Sequence, residues 1–368
     1  MTTVALEDGT ISFNIWDSMG TDMITSISYS TDNGETWNTT DNVDNKSDFL
    51  VIDVPVNEGD KVLWKGIANQ LGMTDAGSFF SSNCEFDAKG NVMSLLYGDD
   101  FKGKTTIEEI GAFSHLFHDI SEEKTCSIVN AKDLSLPATT LATECYAAMF
   151  LNCTSLVTVP ELPATTLANG CYSDIFNGCR SLVTVPQLPA TTLVERCYGS
   201  MFQGCTSLTT APQLPATTLT SDCYRNMFKG CTSLVTAPTL PATTLANRCY
   251  CSMFSGCTSL VTAPVLTATA LADGCYYGMF SDCTSLVTAP ALHATTLVQG
   301  CYSYMFQNCS QLNYIKAMFT TTPDNTYTYN WVSGVSSSGT FVKNSEATWN
   351  VTGYNGVPEG WTVQTASE

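Results

Sequence analysis

The sequence predicts an α/β solenoid of parallel strands and short helices, preceded by an all-β sandwich-like module. Two observations carry that prediction. One 26-residue unit recurs seven times between residues 136 and 317 without insertion or deletion, starting at Leu136, Leu162, Leu188, Leu214, Leu240, Leu266 and Leu292. Ahead of it, residues 1–90 alternate short β-prone runs with turn clusters. A fixed period in this range marks stacked repeats, whose neighbours complete one another's core. Regular short strands between Gly, Asn and Asp clusters mark a small β-sandwich.

The strand-like runs of the first region are residues 10–15, 24–29, 49–54 and 61–65. After the second comes Ser30-Thr31-Asp32-Asn33-Gly34-Glu35-Thr36-Trp37, which resembles an Asp-box hairpin. Sialidases have several such boxes, and a single copy is read as a structural turn. Residues 91–135 form a lead-in and N-terminal cap. There Leu116-Phe117 stand at the helix position of a degenerate repeat, and Ser127-Ile128-Val129 at its strand position. Residues 318–368 form the C-terminal cap, with Trp331, Phe341, Trp349 and Trp361 available to cover the last rung.

Within the first repeat, Leu136-Pro137-Ala138-Thr139-Thr140-Leu141 leads to Cys145-Tyr146-x-x-Met149-Phe150 and then Cys153-Thr154-Ser155-Leu156. Cys145 with Met149, and Tyr146 with Phe150, are i,i+4 pairs that predict one apolar face of a short helix. Thr143, Asn169, Ser221, Asn247 and Asp273 precede it as N-cap types, although Glu195 and Gln299 do not fit. Two residues after each Phe stands only Gly, Asn or Asp, which tolerate a left-handed backbone and predict the helix stop. The β-branched run of residues 154–160 then predicts a strand ended by Pro.

The Met/Phe-x-x-Cys-Thr-Ser-Leu run followed by a strand and Pro resembles the BspA-like leucine-rich repeats of bacterial surface proteins. The version with Leu-Pro-Ala-Thr-Thr-Leu and Cys-Tyr is similar to one found in gut Bacteroidales and their phages. The segment 90–99 resembles the lead-in to such arrays, and 336–343 and 357–363 resemble their closing segment. The resemblance implies a leucine-rich-repeat-like architecture and attachment or recognition at a surface, without naming a ligand.

Composition excludes other classes. The chain has a net charge of −19 and only 15 Lys and Arg, too few for the basic stripe that nucleic acid requires. The acidity also disfavours anionic membrane surfaces, and no 18-residue apolar stretch predicts membrane insertion. The N-terminus lacks the basic and apolar regions of a secretory signal, and it starts with Met. A chain not exported by that route is therefore expected, a trimmed signal being the alternative.

Fourteen of the 17 Cys are pairs eight apart within the repeats. They are read as free, buried thiols in ladders, consistent with a reducing cytoplasm, since closely spaced zinc-type pairs are lacking. Cys251 falls in a variable column read as outward, which makes it the expected reactive thiol. His115 and His118 beside Asp119 could form half a metal site, and Asp41, Asp44 and Asp48, or Asp99 with Asp100, could hold calcium. No EF-hand loop, nucleophile elbow or phosphate loop supports these readings, and no cofactor, metal or catalysis is expected.

Recognition is expected in the columns that vary while the core stays fixed. Asp174, Arg225, Lys229, Tyr277 and Tyr304 are the candidate contact residues, the two tyrosines foremost because exposed aromatics favour interfaces and sugars. The expected function is non-enzymatic adhesion or receptor binding by a phage virion component, a head or tail fibre at the virion surface. Its partners would be a host or bacterial surface protein or glycan, with other virion proteins meeting the N-terminal module. The alternative is a bacterial cell-surface or secreted adhesin.

Overall fold

The computed structural model describes residues 1–15, 24–41, 50–72, 77–118 and 125–366. The chain divides into two compact units, Met1–Gln187 and Leu188–Glu368.

The first unit starts with eight strands: β1 (Thr2–Ala5), β2 (Gly9–Ile15), β3 (Ile24–Ser30), β4 (Asn38–Asp41), β5 (Leu50–Val56), β6 (Lys61–Ala68), β7 (Phe79–Ser82) and β8 (Phe86–Asn91). An antiparallel sheet runs β8-β1-β6-β3-β4, and a second runs β5-β2-β7. Alternation along β6 buries Val62, Trp64 and Ala68, as a sheet with one covered face requires. Trp64 of one sheet meets Phe13 and Phe80 of the other at ring separations of 6.1 and 5.3 Å, so an aromatic cluster joins the sheets. The four predicted runs fall in β2, β3, β5 and β6, with Phe49 outside the described residues.

Between β3 and β4 the Asp-box segment is a closed turn. The Asp32 carboxylate accepts from Ser30 Oγ at 2.7 Å and from the Thr36 N–H at 2.9 and 3.0 Å, while Asn33 and Gly34 take positive φ. Those hydrogen bonds hold the carboxyl far below the usual carboxylate range.

Strand β8 joins this sheet to the repeats. One edge pairs antiparallel with β1, and the other takes β9 (Ile128–Asn130) and β10 (Leu134–Ser135) in parallel. Asn130 then bridges to Thr158 of the first repeat. Phe80 of β7 stacks on Phe117 at 5.2 Å, Phe117 on Phe150 at 5.2 Å, and Phe150 on Phe176 at 5.6 Å. The β-sheet domain and the first repeats thus share one aromatic core. A single turn of α-helix, α1 (Ser94–Tyr97), follows β8.

The expected helix of each repeat does not form. In the first repeat the N–H groups of Glu144, Tyr146, Ala148, Phe150 and Asn152 donate to carbonyls of Asn169, Cys171, Ser173, Ile175 and Asn177, one rung on, at 2.7–3.1 Å. The N–H groups between them close tight turns onto the residue three earlier, as from Ala147 to Glu144 at 3.0 Å. Every fourth residue is left-handed: Glu144, Ala148 and Asn152 have φ of 53, 52 and 60°. A helix needs unbroken right-handed φ, so this recurrence rules it out. The ribbon of turns repeats every four residues, the spacing that had suggested a helical face. Gly, Asn and Asp after the Phe do hold the left-handed position, as one of three such positions rather than as a helix stop.

The expected strand of each repeat is likewise reduced. Within that segment a single residue makes a parallel bridge, as in the second unit from Thr210 to Thr236 and from Thr236 to Thr262, while another bridge, as from Thr192 to Thr218, lies outside it. In that unit the ribbon recurs, with Arg248, Ser252 and Gly256 at φ of 53, 52 and 75°. Phe202, Phe228, Phe254, Phe280 and Phe306 stack at 5.6–5.8 Å within 8° of parallel. Three parallel strands follow: β11 (Tyr314–Ala317), β12 (Thr340–Lys343) and β13 (Thr362–Thr365). Trp331 lies 6.1 Å from Phe306 and donates its indole N–H to Gly356 O at 3.0 Å. Phe341, Trp349 and Trp361 are also buried. Among the described residues no helix is long and apolar enough to cross a membrane.

Candidate ligand-binding groove

Repeats belonging to the second unit leave an open groove of about 690 Å³ on the turn ribbon. Ser221, Asn247, Asp273 and Gln299 line it from one repeat position, and Arg225, Cys251 and Tyr277 from another. In the ribbon the backbone carbonyls of the first set accept from the preceding rung, as Asp222 N–H to Asn247 O at 3.1 Å and Arg248 N–H to Asp273 O at 2.9 Å. That bonding holds successive side chains in register along the groove. Ser221, Asn247 and Asp273 had been expected to cap helices; with no helix present, they face the groove instead.

Charges within the groove are unequal in their partners. Asp222 is buried and meets the half-exposed Arg225 guanidinium at 3.4 Å. Solvent screening leaves such a pair worth little energetically, but it orients Arg225. Arg248 is exposed and, among the described residues, makes no ion pair. Its side chain lies across Gly274, where an added Cβ would come within 3.2 Å of Arg248 Cγ. Gly274 and Gly300, at φ of 59 and 62°, keep the groove floor low.

Tyr277 is 39% exposed and stands 5.2 Å from the ring of Tyr304, which in turn meets Tyr329 edge-on at 5.3 Å. Burial and the neighbouring Tyr304 raise the Tyr277 phenol pKa. Of the five sequence candidates, Arg225 and Tyr277 line the groove and Tyr304 adjoins it. Lys229 is exposed but outside the lining. Asp174 belongs to the first unit, where its carboxylate is engaged by Ser173 Oγ at 2.7 Å and Asn177 Nδ2 at 2.8 Å. Cys251 is a correction: it is buried, and desolvation raises its thiol pKa, so the column it occupies does not face outward throughout. Asp222, Arg248 and Tyr329 were missed.

The other candidate centres offer less. His118 is buried, its Nδ1 against the carbonyl of His115, and desolvation lowers its pKa to about 4. Asp119, Asp44 and Asp48 lie outside the described residues. Asp99 binds Lys65 at 2.8 Å.

Residues 118–261 and 223–336 match the BspA type leucine rich repeat region, in six copies, and together take in more than half of the chain. The chain belongs to the BspA-type leucine-rich repeat family. Repeats of this family mediate binding and are generally non-catalytic. No curated protein and no solved structure matches the chain. In this member, the regular buried Cys and aromatic positions are the constant part of each BspA-type repeat, and the groove is built from what varies between them.

Proposed function

We propose that this is a non-enzymatic adhesion or receptor-binding protein, a phage virion component of the head or tail fibre that contacts the host surface. The observation that carries the binding reading is the groove, where variable polar and aromatic side chains are set in register by an invariant interior. Its partner would be a surface protein or glycan, and the N-terminal β-sheet domain would meet other virion proteins. Support for a virion origin comes from the thiols: all 17 Cys are buried and outside any disulfide, which suits folding in a reducing cytoplasm before assembly. The family match also favours a second reading, a bacterial cell-surface or secreted adhesin.

Two measurements test this. Purified full-length protein should bind intact bacteria, and Arg225→Ala with Tyr277→Ala should reduce that binding at least tenfold; undiminished binding would contradict a role for this face. Immunogold labelling with antibody to the chain should decorate purified phage particles, whereas labelling confined to the bacterial surface would replace the virion reading with the adhesin.

A further inference from the structure

We propose that the groove binds a saccharide bearing a carboxylate, with Arg248 receiving the carboxylate and Tyr277 a face of the sugar ring. This rests on the binding role proposed above and names the ligand class for the same site.

Three observations converge on that chemistry. First, two guanidiniums line the groove, those of Arg225 and Arg248. They stand among the carboxylates of Asp222 and Asp273, so the lining carries no net charge in a protein whose net charge is −19. Arg225 pairs with Asp222, whereas Arg248 makes no ion pair among the described residues, and a planar guanidinium fork matches a carboxylate bidentately.

Second, the remaining groove surface suits hydroxyl groups. Ser221, Asn247 and Gln299 supply donors and acceptors, and Asp222 and Asp273 supply acceptors, spaced by one rung along the groove. The volume of about 690 Å³ lies within the range that holds a ligand of oligosaccharide size. Third, Tyr277, Tyr304 and Tyr329 form a stepped aromatic wall beside it, with rings tilted by 56 and 78° to one another. A sugar ring presents an apolar C–H face to such a wall and hydroxyls to the amides.

An acidic peptide is the weaker fit. Peptides are held by a free strand edge or by apolar pockets for alternate side chains. The groove floor is Gly274, Gly300 and the buried Cys251, and its backbone N–H groups at Arg248 and Gly274 are spent on the neighbouring rung.

The test is calorimetric titration of the full chain with 3′-sialyllactose, a digalacturonate, neutral lactose and an aspartate-rich hexapeptide. Binding of at least one acidic saccharide is expected, at least tenfold tighter than lactose and weakened by added salt. Arg248→Ala should remove the preference for the acidic sugar, and Tyr277→Ala should weaken all sugars at least tenfold. Lys229→Ala, outside the groove, should change nothing. Circular dichroism melts of the variants matching the parent keep the comparison one of binding. Which acidic sugar binds separates a sialic from a uronic source. No acidic saccharide binding, binding untouched by both groove variants, or binding of the peptide alone would overturn the proposal. Loss of cell binding in Arg248→Ala without any response to acidic sugars would overturn the ligand class while leaving the adhesion reading intact.

Discussion

Cys179 donates its thiol hydrogen to the carbonyl oxygen of Phe150 in the rung before it, across 3.1 Å. Cys231, Cys257, Cys283 and Cys309 repeat the contact onto Phe202, Phe228, Phe254 and Phe280 at 3.0–3.1 Å. A small buried group with one weak donor is what this position requires, which explains Cys without a disulfide or a metal.

Truncating that side chain therefore leaves a void and removes the S–H contact. Cys257→Ala is expected to lower unfolding stability by about 1–2 kcal/mol, and Cys257→Leu by at least as much through overpacking. Equilibrium urea denaturation monitored by intrinsic fluorescence checks both. A midpoint unchanged in either variant would contradict the close packing described.

Native thiols should be inert. Desolvation raises Cys145, Cys223, Cys257 and Cys275 from 9.0 to about 12, leaving almost no thiolate at neutral pH. Ellman's reagent at pH 8 should label the folded chain slowly and all 17 Cys after denaturation, with Cys251 no faster than the others. Rapid stoichiometric labelling of the native protein would count against burial.

The same burial predicts alkaline lability. A thiol with a folded pKa of about 12 and an unfolded value of 9.0 binds its proton more tightly when folded. Its contribution to stability is complete below pH 9, declines as pH rises above that value and is gone above 12. With many such thiols acting together, Tm should be flat from pH 7 to 8.5 and fall steeply above 9. A flat profile to pH 11 would contradict it.

Much of the interior was legible in the sequence, because Cys145, Tyr146, Met149, Phe150 and Leu156 are buried completely and recur in register. The helix was not legible as false. A four-residue ribbon of turns and an i,i+4 helical face bury the same side chains, and only backbone φ distinguishes them. Strands β1, β4 and β8 escaped notice because Thr-Thr-Val-Ala, Asn-Thr-Thr-Asp and Phe-Asp-Ala-Lys-Gly-Asn show no extended apolar alternation. The groove was half legible: Arg225 and Tyr277 stand in an evidently variable column. Ser221, Asn247 and Asp273 had a competing explanation as caps.

Left-handed positions give a local test of the ribbon. Gly230, at φ 75°, has no atom nearer than 3.8 Å to an added Cβ, so Gly230→Ala isolates backbone strain. It should cost about 1–2 kcal/mol, whereas Ser252→Gly, at φ 52°, should be neutral or stabilise by up to about 1 kcal/mol. Thermal melts of the two variants should therefore move in opposite directions or differ clearly. Equal small effects would deny the left-handed geometry.

The most direct measurement is of through-hydrogen-bond scalar couplings between amide nitrogens and carbonyl carbons in the labelled full-length protein. Phe254 N should couple to the carbonyl of Met279, and Ser252 N to that of Tyr277, the pairs that stand 2.9 and 2.7 Å apart. Couplings from Phe254 to Tyr250 and from Ser252 to Arg248 would show helices in place of stacked rungs and contradict the account.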